Sequence, residues 1–152
     1  MTWPAPTPAG FELGSDGPRV VVVGVDGSQP AWRALHYAIG LARRQNSRVL
    51  AVCARVVANL AYASYSGGLP AVMTQDTKEL EEAVRELGRE HGVDVRFVAV
   101  DGDPVAALTA VAEESRADMI IVGASEKPGH KVFGSIAVRT VKARRWPVMV
   151  VP

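Results

Sequence analysis

The chain is poor in the residues that many functions require. It has one cysteine, Cys53, among 152 residues. A lone thiol excludes an intrachain disulfide and fits a reducing compartment, so a cytoplasmic location is expected. The three histidines, His36, His91 and His130, are too scattered for metal-ligand spacing, and no metal site is expected. No apolar run reaches the roughly 20 residues of a membrane-spanning helix. The opening stretch MTWPAPTPAGFELGSDGP (1–18) has no basic segment followed by an apolar one. It is expected to be a disordered tail and not a secretory signal. Charge of one sign is missing too. Lys and Arg number 17 against 16 Asp and Glu, a net +1, which excludes a general nucleic-acid binder. There is no Gly-rich loop closing on Lys followed by Ser or Thr, no supported Ser-His-Asp set and no pair of strand-end carboxylates. No residue is therefore assigned a catalytic role.

What the chain does have is alternation. RVVVVGV (19–25) is a continuous β-branched run of the kind found in strands buried on both faces. From Ser28 to Gln45 the period is helical, with Leu35, Ala38, Ile39 and Ala42 on one face. RVLAVCARV (48–56) reads as a second strand, and 57–73 as a long loop containing Tyr62, Tyr65 and Pro70. Thr74 to His91 predicts a charged helix with Leu80, Ala83, Val84 and Leu87 inward, a Glu81–Arg85 pair, and Gly92 as its stop. DVRFVAV (94–100) predicts a third strand. Asp103-Pro104 is an N-cap followed by proline at the first helical position, and Val105, Leu108, Val111 and Ala112 face inward. Residues 118–122 form a fourth strand, 134–145 a last helix and 147–151 a last strand. Strands alternating with helices predict a single α/β domain over 19–152, with a parallel sheet and helices on both faces. In such a sheet ligands bind beyond the carboxyl ends of the strands.

Two strand ends carry the functional signal. The first strand runs into Asp26-Gly27-Ser28. The fourth runs through Gly123 and a basic loop to Gly134-Ser135. Glycine lets backbone N–H groups approach an anion, and a helix start offers its positive end. Asp26 stands at the first strand end either as a ligand contact or as a turn residue bonding its own backbone. Ser135 serves equally as a phosphate contact or a helix cap. Lys127, His130 and Lys131 sit in the loop between. Six basic residues against one acid, Glu126, lie between Gly123 and Pro147, which suits an anionic partner or simply a solvated face.

VVVGVDGS, GDPVAAL, ADMIIVGAS and GSIAVRTVKARRWPVMVVP together resemble the universal stress protein family over residues 19–151. The resemblance implies an open five-stranded parallel sheet in the order 3-2-1-4-5, Rossmann-like and of the adenine nucleotide alpha hydrolase type. It also implies homodimers joined through the last strand (147–151), and a nucleotide-binding cleft in some members but not others. In the ATP-binding members the loop reads G-x2-G-x9-G-(S/T). Here Gly123 opens it and Gly134-Ser135 close it, but Glu126 stands at the second glycine and the loop is two residues short. Matched position by position, Val25, Asp26, Ala54 and Val122 would border the adenine and ribose, and Gly123, Gly134, Ser135 and Ile136 the phosphates of ATP, with magnesium. The expected role is a dimeric nucleotide-binding sensor in the stress response, with an unidentified protein partner. A dimeric interaction module without nucleotide and a slow, autophosphorylating ATPase stand as alternatives.

Overall fold

Five short runs of Val, Ile, Leu and Ala form the strands: β1 (Val20–Gly24), β2 (Arg48–Arg55), β3 (Val95–Asp101), β4 (Met119–Gly123) and β5 (Val148–Val151). Between them lie α1 (Gln29–Gln45), α2 (Leu69–His91), α3 (Pro104–Glu114) and α4 (Ser135–Lys142). The computed structural model describes residues 17–55, 69–124 and 135–152. The sheet order is β3-β2-β1-β4-β5, with every pairing parallel. Sheet type, strand order and helices on both faces agree with the sequence reading.

Side chains that alternate along a strand divide the core in two. Val21, Val23, Val49, Ala51, Cys53 and Ile121 pack with Leu35, Ile39 and Val84, beneath α1 and α2. Val22, Leu50, Val52, Ile120 and Val122 pack with Leu108, Val111 and Ala137, beneath α3 and α4. The central strands are therefore covered twice, which is why they read as unbroken apolar runs.

Helix ends follow from local chemistry. Ser28 caps α1, and Asn46 closes it with a left-handed φ of 55°. Gly92, at φ 66°, ends α2, with the Val93 N–H donating back to the Gly88 carbonyl at 2.9 Å. Asp103 caps α3 through the Ala106 N–H.

Three sequence expectations need correction. The helix expected from Thr74 begins at Leu69, so residues 69–73 are helical and not loop. Pro70 does not stop it, because a proline in the first turn gives up an N–H that has no partner there. Residues 57–68, with Tyr62 and Tyr65, lie outside the described residues, as do residues 1–16 of the tail. In the apolar stripe of α2, Ala83 is exposed, and Gly88 is buried instead. A Cβ on Gly88 would lie 2.7 Å from Val95 Cγ2, so glycine is what lets α2 rest on β3. Finally, α4 stops at Lys142, not Arg145. The Arg144 backbone turns left-handed, with φ 55°, and its N–H donates to Val141.

Candidate functional site

The crossovers part at β1. The α1 connection leads to β2 on one side, whereas the connection from β3 through α3 delivers β4 to the other. The carboxyl ends of β1 and β4 thus flank the point where strand order reverses, the usual crevice of an open α/β sheet.

On the β1 side, the Val25 N–H donates to the Val52 carbonyl at 2.9 Å and carries the strand direction one residue further. The chain then turns. Asp26 Oδ1 accepts the Ser28 N–H at 2.9 Å, and Ser28 Oγ accepts the Ala31 N–H at 3.4 Å. Gly27 between them has φ 82°, and nothing lies within 4 Å of where its Cβ would be. This turn therefore presents bare backbone and an exposed carboxylate to open space. Asp26 does what an Asp-Gly turn predicts, and its second oxygen points to no partner within the turn's own bonding.

The β4 side is tighter. A Cβ on Gly123 would lie 2.3 Å from the Pro30 carbonyl oxygen. The first turn of α1 sits directly on the end of β4, and only glycine permits that approach. The Ala124 N–H donates to the Val151 carbonyl at 2.8 Å and fixes the start of the following loop against β5.

Charged groups ring the same end of the sheet. Arg55 closes β2, and its Nε lies 2.8 Å from Asp101 Oδ1 at the end of β3. The approach is off the hydrogen-bonding direction, so the contact is an ion pair only. Burial pushes the Cys53 thiol above its ordinary range, and the nearby Asp26 carboxylate pushes it the same way. Cys53 is thus held as a neutral, packed thiol. Asp103, at the start of α3, grips Arg139 of α4 through two parallel bonds of 2.8 Å. This side-chain bond, with the Ala106 N–H, holds the Asp103 carboxyl down to about 2.

Among the residues singled out from the sequence, Val25, Asp26, Ala54, Val122 and Gly123 all fall at the carboxyl ends of β1, β2 and β4. Val25 packs with the α1–α2 layer, whereas Ala54, Val122 and Ile136 pack with the α3–α4 layer. Val25 and Val122 retain 5% and 3% exposure, so each offers an edge and not a face. Ser135 is the first residue of α4. Gly134, Glu126, Lys127, Gly129, His130 and Lys131 lie outside the described residues. Among the described residues no group of three or more His, Cys, Asp or Glu side chains is placed to hold a metal ion.

Sequence reasoning missed the Pro30–Gly123 contact, the Arg55–Asp101 ion pair at the strand ends and the Asp103–Arg139 pair between helices. It also read the basic segment as a partner surface or a solvated face. Within it Arg139 pairs with Asp103, and Arg145 with Glu113 at 3.1 Å while stacking on Trp146 at 4.7 Å, and both arginines stay half exposed, in keeping with a solvated face. Pairing between elements 36 residues apart leaves no trace in local spacing.

Comparison with known proteins gives a consistent result. The profile of the universal stress protein family matches residues 18–152. A universal stress protein of Methanocaldococcus jannaschii is 27% identical over 144 residues, covering 88% of this chain and 81% of its own. A universal stress protein solved in complex with cAMP superposes with a TM-score of 0.66 at 24% identity, over 88% of this chain and 96% of that one. A family protein of Arabidopsis thaliana solved with AMP bound superposes with a TM-score of 0.63 at 21% identity, over 88% and 91%.

Proposed function

The chain belongs to the universal stress protein family, and from that premise we propose that it is a regulator that binds an adenine nucleotide across the ends of β1 and β4. The observation that carries this reading is the open turn at Asp26-Gly27-Ser28 set against the end of β4. It is supported by the two relatives of the same fold whose structures hold cAMP and AMP.

Chemistry orients the ligand. An exposed carboxylate repels phosphate and accepts hydrogen bonds from hydroxyl and amino groups. Asp26 therefore takes the ribose or the base, with the edges of Val25, Ala54 and Val122 along the adenine. The phosphates go to the other side, towards the backbone of Gly123, Gly134, Ser135 and Ile136, where a helix start favours negative charge. A magnesium ion would arrive with ATP, held by its phosphates.

The protein acts as a homodimer paired through β5, in the cytoplasm, and signals to a protein partner through its nucleotide state. No helix among the described residues is long and apolar enough to cross a membrane. One observation favours the alternative of an interaction module without nucleotide. Glu126 stands where the ATP-binding pattern has glycine, and the loop is two residues short. Freshly purified protein, denatured by heat and resolved by anion-exchange chromatography, separates the two. Released adenine nucleotide near one per chain supports binding. A nucleotide-free supernatant, together with no uptake of added AMP or ATP, supports the module.

A further inference from the structure

The loop between β4 and α4 has two anchors, and they are of different kinds. At its start Gly123 is wedged against Pro30, and the Ala124 N–H is bonded to Val151. At its end the chain enters α4, a helix of only eight residues. A helix this short does not hold itself together in water. Ile136 packs against the core layer, and Ala137 and Thr140 are buried, with Thr140 Oγ1 bonded to the Ile136 carbonyl of the same helix at 2.7 Å. These side chains form one narrow stripe that seats the helix on the core, and Arg139 lies to the side of it.

The Asp103–Arg139 pair adds a directional tie outside that stripe. Its two bonds of 2.8 Å are parallel, so the guanidinium plane is fixed to the carboxylate plane. Asp103 is itself fixed, because Oδ2 also accepts the Ala106 N–H at 3.0 Å as the cap of α3. Arg139 follows Ser135 by four residues and so lies on the same face of α4. Both side chains are about half exposed, at 51% and 42%, so the pair adds little to overall stability. What such a fork contributes is orientation.

We infer that Asp103 and Arg139 are positioning residues of the nucleotide site, a clamp that sets the rotation of α4 and so aims the N–H groups at its start, beginning with Ser135, at the phosphates. The inference rests on the nucleotide-binding reading above. Neither side chain touches the ligand; both act through the helix.

The test uses the full chain. Mg-ATP titrations compare the unaltered protein with Asp103→Asn, Arg139→Lys and the double variant. Asparagine keeps the α3 cap but loses the charged fork, and lysine keeps the charge but has no fork. Each single variant is expected to weaken ATP binding about five- to tenfold, and the double variant no more than either, because the two residues act as one. Adenosine, which has no phosphates, should lose no affinity, and melting temperatures should stay close to that of the unaltered protein. A merely structural pair would instead lower the melting temperature and affect adenosine and ATP alike. That result overturns the inference, as do variants that bind ATP normally. Unaltered protein that binds no nucleotide overturns the underlying reading, and the inference falls with it.

Discussion

Gly123 illustrates how one residue serves two demands. As a sequence feature it opens a loop that resembles a phosphate-binding pattern. In the structure its missing side chain is what lets Pro30 sit 2.3 Å from where a Cβ would be. Backbone cannot yield there as a flexible side chain would. Gly123→Ala is expected to cost about 1–3 kcal/mol of stability, measured by urea denaturation. An unchanged midpoint would refute the packing argument. The glycine is for this reason a poor probe of phosphate binding, since its variants perturb α1 whether or not a ligand exists. Asp103 gives a second prediction at this scale. Its carboxyl lies near 2 in the fold against an ordinary 3.8, so the folded state favours the ionised form. The contribution of the pair is complete above about pH 4 and is lost as pH falls towards 2. A titration of the Asp103 carboxyl followed by NMR should therefore show a midpoint near 2. A midpoint at the ordinary 3.8 would contradict it.

Elements were legible where the signal is local. The caps at Ser28 and Asp103, the stop at Gly92 and the inward face of α1 could all be read from residue type and spacing. The misses have tertiary causes. Gly88 reads as a weakness inside a helix, yet it is a contact, because Val95 comes from another element. The start of α2 was hidden by Pro70, a residue that signals both turns and helix beginnings. Arg139 and Arg145 read only as part of a basic segment, because the acids that pair with them, Asp103 and Glu113, lie at the two ends of α3. The edge strand β5 makes its own prediction. Its 147 and 151 carbonyls point to β4, so Val148 and Val150 turn their backbone groups outward. If the dimer pairs through this edge, the protein sediments near twice 16.2 kDa. Val150→Pro removes one outward N–H and none of the ladder to β4. It should yield a monomer that still melts cooperatively, with a change in the fluorescence of Trp146. A Val150→Pro protein that remains a dimer would place the interface elsewhere.

For the whole molecule, the sheet order and the two-layer cover of helices came from alternation plus the resemblance, and they hold. The candidate site was legible as a place at the strand ends but not as a geometry. A sequence tells which strand ends meet, whereas the packing of Pro30 on Gly123 and the grip of Asp103 on Arg139 depend on the folded arrangement. The central claim is that this strand-end cleft takes an adenine nucleotide despite Glu126 and the shortened loop. Titration calorimetry of nucleotide-stripped protein with Mg-ATP tests it most directly, with Ser135→Val as the control in place of any Gly123 variant. The account predicts one site per chain with micromolar affinity, weakened at least about tenfold by Ser135→Val, a loss of roughly 1.4 kcal/mol or more. No heat of binding, from protein that also carried no nucleotide through purification, would contradict it.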